Sequence, residues 1–218
     1  MASDVQETSL LSGLSQELGK EVDGLDRALT QCRVLVDGGV RLAMPDSLSV
    51  ARSRAATLHG NFSKDAASKT LKKGTHWTNL IKALSEAVSD LGNLARSAWR
   101  DHRGVIFTGE APAVIRSRMA GTERNQAALR RYEIKHQALR SAFETLPQRR
   151  GDIEQAKLLA KELTEIAGEF DFNVPVDVKA FLDAVQAGGA PLGCLTPAVI
   201  AWLKDNNAFE SYRIVPGR

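Results

Sequence analysis

The stretch THWTNLIKALSEAVSDLGNLARSAWRDHR, residues 75–103, decides the fold. Within it Trp77, Ile81, Leu84, Val88, Leu91, Ala95 and Ala98 recur at alternating steps of four and three. That spacing is the seam of a helix lying lengthwise against another helix. Gly74 closes the preceding segment, and Thr75 is placed to cap the helix. The seam thins from Trp and Leu to Ala95 and Ala98, so a partner must approach closely at that end. There Arg96, Arg100 and Arg103 recur at helical spacing on the opposite face.

Upstream, the same alternation returns in Leu11, Leu14, Leu18, Val22, Leu25, Leu29, Cys32 and Val36, a first helix from about Val5 to Val36. Gly13, Gly19 and Gly24 each weaken it by about 1 kcal/mol relative to Ala, so packing rather than propensity must hold it. Gly38-Gly39 ends it. Leu48, Ala51, Ala55 and Leu58 give one face of a second helix, which stops near Gly60. Residues 61–74 are polar and hold Lys64, Lys69, Lys72 and Lys73, as a weak helix or a loop.

Downstream, Pro112 opens a long fourth helix expected over Ala113–Leu146. Leu129, Tyr132, His136, Leu139, Phe143 and Leu146 keep a strict register. Continued upstream, that register meets Asn125, Thr122 and Arg118, a polar seam that implies fraying, bending or a different neighbour. Pro147 stops the helix, and Asp152 is expected to cap a fifth running to about Phe170. So short a turn implies antiparallel neighbours.

After Asp171 the pattern changes. A short helix over Asp177–Ala187, a Gly-rich loop, a helix over Pro197–Asp205 behind Thr196, and a terminal strand at Tyr212, Ile214 and Val215 are expected. Asn206-Asn207 would end the last helix in the left-handed region. This module resembles a helix-turn-helix, yet brings few cations to a phosphate backbone, which favours docking a protein through Trp202 and Phe209. The tail from Leu195 to Pro216 resembles the ends of bacterial accessory proteins in nucleic-acid-handling and phage-defence (antiviral) machines. That likeness spans a tenth of the chain and carries no family motif.

The fold class expected is therefore all-α, an antiparallel long-helix bundle or coiled coil. It divides into a body over residues 1–171 and a small docking module over 172–218. At 218 residues with 43% hydrophobic and 25% charged side chains, the composition is that of a folded protein. Two distant cysteines, no signal-peptide pattern and no bilayer-length apolar run point to the cytoplasm and exclude a membrane role.

Charge is unevenly spread. Residues 48–150 carry 19 basic against 8 acidic side chains, while the flanks each carry a net of −4. Such a basic middle either holds a polyanion or pairs with the acidic ends. Arg96, Arg100, Arg103, Arg124, Arg131, Lys135, Lys69, Lys72 and Lys73 are the candidate nucleic-acid contacts. Ser68-Lys69-Thr70 lacks the glycines of a phosphate loop. His59, His76, His102 and His136 lie too far apart for a local zinc motif, and no strained nucleophile turn is present. No metal, cofactor or catalytic residue is therefore expected. The chain reads as a non-catalytic scaffold or accessory subunit of a larger assembly, with other proteins as partners and self-association open. The alternative is a nonspecific DNA- or RNA-binding subunit.

Overall fold

The computed structural model describes residues 2–119, 121–206 and 208–215, with side chains from residue 5 onward. All regular structure among these residues is helical. The chain divides into two compact units, Met1–Phe107 with Phe143–Ala156, and Thr108–Ala142 with Lys157–Arg218.

In the first unit the chain forms α1 (Ala2–Asp37), α2 (Asp46–Phe62), a single turn α3 (Ser68–Leu71) and α4 (His76–Ile106). The helix that residues 75–103 predict is α4, and it packs against both α1 and α2. Trp77 donates its indole N–H to Glu17 at 2.7 Å, Val88 lies beside Gly24, and the Cys32 thiol points at the Leu91 carbonyl, 3.9 Å away. Both residue numbers rise together, so α1 and α4 run parallel. The antiparallel arrangement expected throughout the body does not hold for this pair. The cause is α2, which returns the chain before α4 begins. The fold-back is pinned where Glu7 of α1 accepts the amide and hydroxyl of Ser68, at 2.5 and 2.7 Å.

Having two neighbours also widens the apolar face of α4. Leu80, Ala83, Ala87 and Trp99 are buried, none of them on the seam of 77, 81, 84, 88 and 91. Leu80, Ala83 and Ala87 lie about 60–120° round the axis from Trp77, at 100° per residue. They sit on the side of Asn79, whose carbonyl accepts Arg54 of α2 at 2.7 Å. At 17 residues, α2 spans about 25 Å of the roughly 46 Å length of α4. Further along α4, residues 143–156 contribute to this unit: Phe143 meets Trp99 edge to face at 6.0 Å, and Gln31 of α1 bonds the Pro147 carbonyl. Gly38 is buried there because Ile153 fills the space of a side chain. A Cβ at Gly38 would stand 3.2 Å from both Cγ atoms of Ile153.

The second unit holds α5 (Pro112–Arg118) and most of α6 (Glu123–Glu144) and α7 (Arg150–Ala167), then α8 (Val176–Gln186) and α9 (Pro197–Asp205). The single helix expected over Ala113–Leu146 is thus two. The break falls at the polar seam, and the reason is Asn125. Its buried amide donates to the Asp171 carbonyl at 2.9 Å, and its Oδ1 accepts the Asp171 N–H at 3.0 Å. Thr122 accepts the Asn125 amide at 3.2 Å, which starts α6 as a cap would. Below Asn125 the apolar register takes over: Tyr132 is buried, edge to face with Phe170, and donates to the Glu110 carbonyl at 2.7 Å. Pairing 125 with 171, 131 with 169 and 135 with 162 fixes α6 and α7 as antiparallel, as their short connection requires.

Asp152 is not the cap of α7, which starts at Arg150. Instead its carboxylate reaches back to the amides of Gln148 and Arg149, at 2.9 and 3.0 Å. Thr196 does cap α9, accepting the Val199 amide, with Pro197 at the first helical position. Asn206 keeps φ at −99° and is not left-handed, while Asn207 and Pro216 lie outside the described residues. Val178, Phe181, Leu182, Val199 and Leu203 form a small core between α8 and α9. Residues 212–215 form no ladder among the described residues, so the expected terminal strand is absent there.

Candidate charged and docking surfaces

The basic face of α6 meets carboxylates of α7. Arg131 makes a two-pronged pair with Glu169, which holds the Glu169 carboxyl below its ordinary range and raises the guanidinium. Arg124 adds a weaker pull on the same carboxyl. Lys135 stands 2.8 Å from Glu162. Nearby, Arg116 pairs with Glu133, and Arg118 with Glu110 while lying 4.7 Å over the Phe172 ring. So Arg131 and Lys135 are neutralised within their own unit, and of the expected α6 triplet Arg124 has no direct ion pair among the described residues. The signal lay in register. Glu162 on α7 and Glu169 in the turn just past its end stand opposite Lys135 and Arg131 once the helices are set antiparallel.

The three arginines at the end of α4 do not form one free stripe. Arg96 is exposed and bonded to Asn93 at 2.8 Å, and Arg100 is exposed. Arg103 instead turns over the Phe143 ring, 5.9 Å from its centre, with its Nε buried and without a partner among the described residues. Burial, then the neighbouring Arg100 charge, lowers the affinity of that guanidinium for its proton. Its spacing matches Arg100, but Phe143 supplies an aromatic face that no local pattern reveals.

The lysines come together elsewhere. Lys64, Lys69 and Lys73, with Asp65 and His76, line a hollow of about 590 Å³ between the end of α2, α3 and the start of α4. Lys72 is exposed just outside that lining. Gly74, at φ +61°, makes the turn into His76.

In the C-terminal segment Trp202 packs partly against the small core, whereas Phe209 is 39% exposed with the Lys204 ammonium 5.4 Å from its ring. Tyr212 lies edge to face with Phe181 at 5.7 Å, and burial raises its phenol. Beyond it Ile214 and Val215 are each 76% exposed. Among the described residues no group of three His, Cys, Asp or Glu side chains is placed to hold a metal ion, and no helix is long and apolar enough to cross a membrane. No protein-family model, curated protein or solved structure matches the chain.

Proposed function

We propose that the protein is a non-catalytic helical scaffold, an accessory subunit of a larger cytoplasmic assembly whose long helices pack as a bundle and whose segment 172–218 docks a partner protein. The observation that carries this reading is the distribution of exposed apolar side chains. Among the described residues, six of the sixteen exposed large hydrophobics, Phe172, Val176, Leu192, Phe209, Ile214 and Val215, fall in residues 172–215, a fifth of the chain. Folded surfaces tolerate scattered apolar residues, and their concentration in one short segment offers a partner more apolar side chains there than elsewhere on the chain. The strand expected at 212–215 belongs to the same reading. Tyr212 is extended (φ −110°, ψ 140°), and residues 213–215 hydrogen-bond to no described residue, so their backbone is open to pair with the sheet edge of a partner.

Nonspecific nucleic-acid binding along the basic middle draws less support, because Arg131 and Lys135 already face Glu169 and Glu162. The test is affinity co-purification from the native host, comparing the unaltered chain with a Phe209→Ala, Ile214→Asp variant. A defined set of proteins held by the first and lost from the second is expected. Equal recovery by both, or nothing recovered by either, would overturn the reading.

A further inference from the structure

We propose that the hollow between α2, α3 and α4 is a binding site for phosphate groups, held by Lys64, Lys69 and Lys73. The site goes beyond the docking role of the C-terminal segment and is independent of it. Its lining comes from three separate pieces of chain, the end of α2, the α3 turn with its flanks, and the first residue of α4. Lys64, Lys69 and Lys73 bring three positive charges, and Asp65 is the one carboxylate in the lining. Asp65 is occupied in part: Thr70 donates to it at 2.9 Å, and Lys69 stands 3.8 Å away. Lys64 and Lys73 have no ion pair among the described residues. The contrast with α5 and α6 is instructive, since there Arg116, Arg118, Arg131 and Lys135 are each matched by a glutamate. Gathering three ammonium groups round one hollow with a single carboxylate leaves a surplus of about two charges, the charge of one phosphate monoester or two backbone phosphates.

The turn that presents these lysines is anchored. Ser68, on the other side of α3, is buried and gives both its amide and its hydroxyl to Glu7, and Leu71 packs against the core of the unit. The lysine stems are free to adapt while their Cα positions are fixed, which is how lysines commonly serve phosphate as point charges on flexible stems. Asn61 and His76 add polar groups at the rim. The hollow lacks the glycine-rich backbone cradle of a nucleotide loop, so recognition rests on ammonium groups and reads charge rather than base.

The phosphates can belong to a polynucleotide backbone or to a small phosphorylated molecule, and one titration series separates the two. The full chain is titrated into a fluorescein-labelled 20-nucleotide single strand and the matching duplex at 50 and 200 mM NaCl, and into inorganic pyrophosphate by calorimetry. With Lys69 exchanging Asp65 for phosphate, three phosphate contacts predict that duplex affinity falls about 40-fold between the two salt concentrations. Lys64→Ala, Lys69→Ala, Lys73→Ala should abolish that salt dependence together with most of the binding. A Lys20→Ala, Lys82→Ala, Lys161→Ala variant removes the same charge elsewhere and should bind as the unaltered chain does. Pyrophosphate binding that vanishes in the first variant, without oligonucleotide binding, assigns the site to a small phosphorylated ligand. No binding of any probe at 50 mM salt, or equal loss in both triple variants, overturns the proposal.

Discussion

Replacing Asn125 tests the central contact of the second unit. Its side chain closes two hydrogen bonds on the backbone of Asp171, just past the end of α7, from a fully buried position. Each such bond contributes about 1 kcal/mol net, and truncation leaves a small void besides, so Asn125→Ala should cost about 2–3 kcal/mol. Asn125→Asp keeps the volume but sets a carboxylate oxygen against the Asp171 carbonyl where a donor stood. At pH 7 that variant should be less stable than the alanine one. Burial and the facing carbonyl raise the folded-state pKa of the new carboxyl above its unfolded value of about 3.9. The folded state then binds more protons between the two values, so stability falls as pH rises through that window and returns in acid, when the protonated group can donate. Because the chain has two units, a global melting curve is a poor readout. The protection of the Asp171 amide, its exchange rate relative to that of an unstructured chain at the same pH, is better: it should fall at least tenfold in Asn125→Ala, which removes its acceptor. An Asn125→Ala variant whose Asp171 amide is as protected as in the unaltered chain would refute the hydrogen-bond assignment.

Two further outcomes follow from the packing. Gly38→Ala should destabilise the first unit by about 1–3 kcal/mol through overlap with Ile153, less so beside Ile153→Val, whereas Gly13→Ala and Gly19→Ala meet open space and should each stabilise α1 by about 1 kcal/mol, as urea titrations will show. His136 stacks on Tyr132, and burial, then Arg140, lowers its pKa; the unfolded chain therefore binds the extra proton, stability drops as pH falls below about 6.5, and His136→Gln should flatten that limb of the profile.

Much of this was legible along the chain. The period of residues 77–98 gave α4, Thr196-Pro197 gave the start of α9, and Pro147 gave the turn between α6 and α7. What escaped was whatever depends on a second neighbour. One seam cannot show that α4 is clasped on two sides, so Leu80, Ala83 and Ala87 were not read as core. Nor can alternation alone reveal that α1 and α4 are parallel, since direction is set by the intervening α2. The polar seam at Thr122 and Asn125 was visible as an irregularity, but its cause is a backbone group 46 residues away. Among the candidate cations, Lys69 and Lys73 come with Lys64 to line one hollow, while Arg103 and Arg131 are drawn off by Phe143 and Glu169, groups distant in the chain.

The charge balance of the two units bears on how any polyanion would be held. The first carries 16 basic and 15 acidic side chains, the second 13 and 11, so neither presents a strong net field. Long-range steering needs such a field, and surface charges more than a Debye length apart (about 8 Å at physiological salt) are largely screened from one another. Attraction to phosphate must then be local, exerted where ammonium groups gather round few carboxylates, and the number of contacts follows from the number of ammonium groups. Six to ten contacts along the whole basic middle would lower duplex affinity by three or more orders of magnitude between 50 and 200 mM salt. Three contacts at Lys64, Lys69 and Lys73 lower it by about 40-fold. The salt slope therefore counts the cations engaged: a slope near three locates binding at the hollow, and a slope of six or more would require cations beyond it, such as Arg96, Arg100 and Arg124, to be engaged as well.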